Sequence, residues 1–276
     1  MSISKDLIDS YYSIKFENLD QESVTASRNL LMDCVGNIVA SYRVDKNEKL
    51  NKKFIDSLSN ETEFLPFFLG MLIHRLDFDD THYGALIHTG SITVPAAIYS
   101  SFLKKTSGKD LLTSICIGVD LAVTLASVEK HMFHKKGFHA TALVGPFSSS
   151  LIYSYLNGYS KNKAIDAFGI AGSFTSGNLS FLNSGDNTKI IHPGWASFSG
   201  CKATEITNYS ITGSESIFED DYGFFSLYSN VANISKKIKT NIDDYEIKKV
   251  NFKPYPICQL NIASIRLLED LDIAID

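Results

Sequence analysis

The sequence predicts a mainly α-helical fold, and three observations predict it. Apolar residues recur at three- and four-residue spacing through most of the chain up to Lys130. Only 6 residues are proline, and none precedes Pro66. Past Ala140 the stretches SSSLIYSY (148–155), GIAGSFTSG (169–177) and GWASFSG (194–200) are rich in small residues, which let helix backbones approach closely.

The periodicity places helices over Asp6–Phe16, Ser23–Tyr42, Glu63–Ile73, Ile92–Lys104, Lys109–Lys130, Ala140–Tyr155, Lys161–Thr175 and Gly194–Asn208. In the second of these, Leu30, Leu31, Cys34, Val35, Ile38, Val39 and Tyr42 form a stripe too wide for a surface helix and suited to a core one. The Lys109–Lys130 helix follows a Ser107-Gly108 break and repeats the spacing through Leu112, Ile115, Cys116, Val119, Ala122, Val123 and Ala126. From about Tyr245 the residues IKKVNFKPYP alternate, which predicts a strand running into a proline-rich turn and the start of a second unit. The sequence divides at that point into a helical domain, 1–244, and a segment 245–276 that closes with an amphipathic helix in IRLLEDLDIAID.

With 26 Lys+Arg against 31 Asp+Glu the net charge is −5, and neither nucleic acid nor an anionic membrane is an expected partner. The 44% hydrophobic and 21% charged fractions are those of a globular chain able to bury a sizeable core. Cys34, Cys116, Cys201 and Cys258 are widely spaced without a CxxC pair and read as free buried thiols. The polar, acidic N-terminus is unlike a signal peptide, no run reaches the roughly 18 apolar residues of a membrane helix, and a cytoplasmic location is expected.

All 7 histidines lie between His74 and His192. The densest patch, HRLDFDDTHYGALIHTG (74–90), gathers Asp77, Asp79, Asp80, Thr81 and three imidazoles where a helix runs into a loop, a ready source of general acids and bases. Helix capping by the acidic run is the plainer alternative. A second patch, KHMFHKKGFHAT (130–141), puts His139 just past a glycine, before the next helix. Read with His88, its histidines could suggest a metal, but no HExxH-like spacing occurs, and Lys135 and Lys136 favour an anion; no metal is expected. A third, SGDNTKIIHPGWASFSG (184–200), presents Lys189 and then His192-Pro193-Gly194 ahead of a helix, whose free N–H groups suit a carboxylate or phosphate. In the fourth, NFKPYPIC (251–258), two prolines stiffen the chain after Lys253. GxSxG, GxxxxGK[ST] and GxGxxG are absent.

Taken in order, DFDDTH (77–82) with the downstream HTG (88–90), GFHAT (137–141), TKIIHPGWA (188–196) and FKPYP (252–256) resemble the motifs of the 2-methylcitrate dehydratase family, MmgE/PrpD. HTG stands where the family more often has an HP pair. The family also includes cis-aconitate decarboxylase and an iminodisuccinate epimerase. The resemblance implies an all-helical domain joined to an α+β lid, commonly a homodimer, acting on small di- or tricarboxylates without a cofactor. It places Asp77, Thr81, His88, His139, Lys189 and Lys253 at the pocket; their chemistry makes Asp77, His88, His139, Lys189 and Lys253 the expected catalytic residues and Thr81, with the His192 and Gly194 turn, the expected substrate-binding ones. Enediolate charge beside a carboxylate would be stabilised by Lys189, Lys253 and the turn, while His88 and His139 exchange protons and Asp77 orients or shares the base role. The leading expectation is a dehydratase (hydro-lyase) of a hydroxy-polycarboxylate such as 2-methylcitrate, as in propionate catabolism; decarboxylation and epimerisation are its sister chemistries. Only the beginning of the lid falls within 245–276, so a non-catalytic remnant, or half of a split protein, is the competing expectation.

Overall fold

A computed structural model describes residues 2–44, 48–240, 242 and 244–271. Its main helices are α1 (Ile3–Ser13), α2 (Gln21–Val44), α3 (Glu48–Ser57), α4 (Leu65–His74), α5 (Gly90–Lys104), α6 (Gly108–Ala126), the single turn α7 (Met132–Lys135), α8 (Ala140–Asn157) and α9 (Lys161–Phe174). They are followed by the short α10 (Phe181–Ser184), then α11 (Ile191–Ile206), α12 (Phe224–Tyr228) and α13 (Ile262–Asp270). Eight of the periodic segments are therefore helices, displaced by a few residues at their ends. The polar α3 was not anticipated, because its sequence EKLNKKFIDS carries too few apolar residues to mark a stripe.

The centre of the bundle is α8, buried along nearly its whole length and packed between α5, α6, α9 and α11. Small residues make this possible. A Cβ on Gly200 would stand 2.4 Å from the Pro146 carbonyl oxygen, and one on Gly194 would stand 2.3 Å from that of Phe67, so α11 crosses α8 and α4 at backbone distance. The serines on these faces satisfy themselves across helices: Ser148 Oγ donates to Gly118 O at 2.7 Å and Ser149 Oγ to Ile92 O at 3.0 Å. Phe147, Phe168, Phe218 and Phe224 fill the adjoining space, with Phe147 ring centroids 4.9 Å from both Phe218 and Phe224.

Helix α2 departs from expectation. Leu30 and Cys34 are fully buried, but Val35, Val39 and Tyr42 are 45%, 43% and 40% exposed. The inward seam is instead Ser23, Ser27, Leu30, Cys34, Asn37 and Ser41. Ser41 Oγ caps the Leu72 carbonyl of α4, so small polar residues win the inner face by close packing and hydrogen bonding, and the broad apolar stripe is split. Cys258 is likewise exposed rather than buried, unlike the other three thiols.

The strand predicted after Tyr245 shrinks to two residues. A 3-10 turn takes Glu246–Lys249, and β2 (Val250–Asn251) pairs antiparallel with β1 (Thr81–His82), Thr81 opposite Asn251 and His82 opposite Val250. The turn is pinned from below: Asp120 of α6 accepts the Glu246 N–H at 3.0 Å and the Tyr11 hydroxyl at 3.0 Å, while His82 Nε2 meets Glu246 Oε2 at 3.2 Å. The closing helix spans Ile262–Asp270, and 272–276 of the stretch predicted with it lie outside the described residues. No helix among the described residues is long and apolar enough to cross a membrane.

Candidate active site

The chain from the end of α4 to the start of α5 builds one wall of the site. Asp77 stands in the left-handed region (φ 51), and its carboxylate meets Lys189 and Lys253. Asp80 does structural work: its carboxylate accepts the N–H of Thr89 at 2.9 Å and of Gly90 at 2.8 Å and the Thr89 hydroxyl at 2.6 Å, capping α5. That cap fixes His88 at the mouth of the helix, where its N–H bonds Thr141 Oγ1 of α8 at 3.1 Å. His139 is the N-cap residue of α8, and its N–H is held by Gly177 O at 2.9 Å. The β1–β2 pairing delivers Lys253, two residues beyond β2, to the same place.

Here the predicted residues meet. Lys253 Nζ lies 2.8 Å from Asp77 Oδ1 and 2.6 Å from its backbone oxygen, and Lys189 Nζ reaches the same Oδ1 at 3.1 Å. The Lys253 side chain is fully buried, whereas those of Lys189 and Asp77 are part-exposed to the cleft. His88 Nδ1 lies 2.8 Å from Asp80 O and 3.4 Å from Thr81 Oγ1. His139 and His192 share a hydrogen bond between their Nδ1 atoms at 3.1 Å. A cleft of ≈ 340 Å³ is lined by the polar Asp77, Thr81, His88, His139 and Lys189 and by the apolar Leu86, Leu179, Phe181, Leu182 and Leu260, together with His134, Cys258 and Gln259.

Gly194 is placed elsewhere. It lies inside the first turn of α11, its Cα against Gly70 of α4, and serves the helix crossing. The 3-10 turn Asn187–Ile190 runs directly into α11, so the HPG sequence sits within the helix instead of ahead of it. Lys135 and Lys136, read as pointing to an anion, are exposed outside the cleft lining.

Two residues of the 74–90 patch that were given no role of their own lie just behind the cleft. His74, at the end of α4, and Asp79 are both buried, with His74 Nδ1 2.7 Å from Asp79 Oδ2. The His74 ring centroid is 4.5 Å from that of His88 and 5.9 Å from that of His139. A signal for His74 existed: it stands three residues before Asp77, one helical turn from the motif.

Burial dominates the electrostatics. It pushes the His88 imidazole down to about 3, against Asp79 and in concert with His74, Lys189 and Lys253. Burial, then His74 and Lys189, takes His192 down to about 4, and burial with the neighbouring imidazoles takes His139 well below its ordinary value. Burial works to raise both Asp77 and Asp79, but Lys189 and Lys253 on the first, and His74 and His88 on the second, outweigh it and hold both ionised. For Asp80 burial and the Asp79 charge prevail, pushing it up to about 7 despite its three donors.

The arrangement thus offers two fixed ammonium groups, a carboxylate between them and neutral imidazoles. A backbone carbonyl only accepts, so the bond to Asp80 O assigns the His88 proton to Nδ1 and leaves Nε2 as the basic nitrogen of a ring that lines the cleft. Donor atoms of His74, His88 and His139 lie within 4.8 Å of one another, close enough for a metal ion on distance alone. The two ammonium groups on Asp77 already place positive charge beside that cluster, which opposes a further cation and suits an anion.

Residues 66–237 match the MmgE/PrpD N-terminal domain. Over 92% of its length the chain is 24% identical to the human cis-aconitate decarboxylase, and the mouse protein of that name matches to the same degree. In each case the chain spans 56% of the relative. The family match covers more than half of the chain and falls on the helices and loops that carry all the cleft residues except those from 253 onward. This chain belongs to the MmgE/PrpD family.

Proposed function

We propose that the cleft is the active site of a lyase acting on a small di- or tricarboxylate, and that its reaction is dehydration of a hydroxy-polycarboxylate of the 2-methylcitrate type. The observation that carries this reading is the pair of lysines converging on Asp77 beside two neutral imidazoles. A substrate carboxylate replaces Asp77 as the partner of one ammonium, and the charge that develops on it as the neighbouring C–H is broken finds donors already oriented. The proton goes to His88 Nε2, the C–H electron pair forms the double bond, and the C–O bond breaks. The departing hydroxide takes a proton from the His139–His192 pair and leaves as water. A substrate trianion offsets the burial that keeps these rings neutral, so the acid arrives protonated by the act of binding.

A second reading is decarboxylation, favoured by the activity named for the two relatives. There a C–C bond to carboxylate breaks, carbon dioxide leaves, and the resulting carbanion is protonated by the same groups.

Proton NMR in heavy water with 2-methylcitrate, citrate, cis-aconitate and iminodisuccinate tests both. Collapse of the 2-methylcitrate methyl doublet to a singlet at an allylic shift, or a new olefinic proton from citrate, supports dehydration. Loss of carbon dioxide from cis-aconitate supports the second reading, and deuterium incorporation without other change identifies an epimerase. A folded chain that converts none of them overturns the enzyme reading and leaves a remnant or a half-protein.

A further inference from the structure

The mechanism above makes no use of the pair His74–Asp79, although it is buried directly behind His88. Asp79 Oδ2 stands between two imidazoles, 2.7 Å from His74 Nδ1 and 3.5 Å from His88 Nδ1. It is therefore bonded to the ring that lies outside the cleft lining and merely near the ring that lines it. Among the described residues, neither His74 Nε2 nor Asp79 Oδ1 has a hydrogen-bond partner, so the pair is closed on itself by one bond. Such incompletely satisfied buried groups in a packed region call for an explanation.

We propose that His74 is a positioning residue: it ties up the Asp79 carboxylate, so that this carboxylate does not close on His88 Nδ1 and hold the ring protonated, and Nε2 stays unprotonated at the cleft. The proposal rests on the reading of the cleft as an active site only for its consequence in catalysis; the geometry it concerns exists without substrate. A carboxylate bonded fully to His88 Nδ1 would stabilise the imidazolium and hold a proton on the ring. The other groups around His88 are the Asp80 carbonyl, Thr81, His139, Asp77, Lys189 and Lys253, and those around Asp79 include Asp80, Asp33 and Lys253. The lysines oppose a proton on His88. The removal of His74 acts on His88 in two ways, through the freed Asp79 carboxylate and through the loss of His74's own opposing effect, and the double variant below separates them.

The test is histidine-selective NMR of the purified chain between pH 5 and 8, without substrate. In the wild type, His88 should stay neutral across the range, in the tautomer protonated at Nδ1. In His74→Phe the carboxylate loses its donor and turns to His88, whose titration should rise by about two units or more, far enough to enter that range. His74→Asn, whose amide nitrogen can stand where Nδ1 stood, should return His88 toward the wild-type state. The double variant His74→Phe with Asp79→Asn should also return it, because no carboxylate is left to turn. If His88 is unmoved in His74→Phe, or if the double variant titrates like the single one as an opened site would, the proposal is overturned. With turnover in hand, the acid limb of the kcat profile should move up in His74→Phe and back in His74→Asn while KM stays within about twofold, since neither residue lines the cleft. An NMR result as expected from a chain that turns over no acid would sink the proposed function and leave the role of His74 standing.

Discussion

The bundle and the strap at 245–253 place functional groups in opposite ways. In the bundle, His88, His139 and Lys189 sit at the ends of helices whose positions are set by backbone contact: α11 lies on α4 and α8 with no space for a methyl group at Gly194 or Gly200. The strap brings one residue, Lys253, and holds it with polar links: two residue pairs of β-ladder, the Asp120 carboxylate on the Glu246 N–H, and His82 on Glu246. Packing of the first kind is all-or-none and insensitive to pH, whereas links of the second kind are separable and titrate. The cleft is assembled from both, so its geometry should fail in two distinguishable manners.

The largest effect is expected where the bundle is tightest. Gly194→Ala puts a Cβ 2.3 Å from the Phe67 carbonyl oxygen and 3.0 Å from the Met71 side chain, and a backbone oxygen does not yield as a side chain does. Loss of about 3 kcal/mol or more is expected, read as a fall in the urea midpoint. Substituting the strap's lysine is the contrasting case. Lys253→Ala should leave the helical circular dichroism unchanged while lowering turnover by about 10²–10³-fold, the scale of a lost donor to developing charge. If Gly194→Ala folds normally, or if Lys253→Ala unfolds the bundle, the contrast between the two regions is wrong.

Legibility in the sequence follows the same division. The bundle was readable because helical period and small-residue faces are local signals, and Lys109–Lys130 and Ala140–Tyr155 needed no tertiary information. It misled at α2, where Val35, Val39 and Tyr42 look like core but Ser27, Asn37 and Ser41 take the inner face; only the neighbouring carbonyls decide that. The strap was half readable: the alternation in IKKVNFKPYP announced extended chain, but not that Asp120, far away in sequence, would halt it in a 3-10 turn. Asp77, Thr81, His88, His139 and Lys189, which line the cleft, and Lys253, buried beside Asp77, were named from motifs, and the structure brings them together. His74 and Asp79 lay in the same patch but were given no role, because which of its imidazoles and carboxylates are buried behind the others leaves no mark on spacing. Gly194 was read as part of a binding turn, whereas its motif is met by the packing need of α11 on α4.

The pH dependence of stability sharpens the comparison at the next scale. His88 and His192 are held at about 3 and about 4 in the folded chain, below an unfolded histidine near 6.5. The unfolded chain therefore binds more protons below pH 6.5; this stability is complete above that value and is lost as pH falls toward the folded values. Asp120 runs the other way: burial raises it to about 6, so the folded chain binds the extra proton between about 4 and 6, and that contribution is lost as pH rises through 6. Two results are expected from urea titrations at several pH values. The histidine part of the midpoint's pH dependence, opposed by the raised carboxyls of Asp80, Asp33 and Asp120, should fall from pH 6.5 to 5, and less steeply with a saturating tricarboxylate such as citrate present. The Asp120→Asn variant should gain on the wild type, by up to about 2 kcal/mol, between pH 4 and 7. An acid limb that citrate leaves unchanged would detach the imidazoles from anion binding.

The smallest effect is expected at the single link between His82 and Glu246. Burial lowers the His82 imidazole and the Glu246 carboxylate opposes that, so Glu246→Gln should move the His82 titration further down. Glu246 also pairs with Lys249 at 2.9 Å, an exposed contact of little net worth. Because the strap keeps its ladder with β1, the Asp120 bond to the backbone of residue 246, and both Lys253 bonds to Asp77, a stability change within about 1 kcal/mol is expected, with Lys253 still in place. The measurement pairs the His82 titration by NMR with citrate affinity by calorimetry. A lower His82 value with affinity within about threefold would show that the strap is held by several weak and separable links. Loss of citrate binding from this one substitution would make the strap as indivisible as the bundle, and the distinction between them would fall.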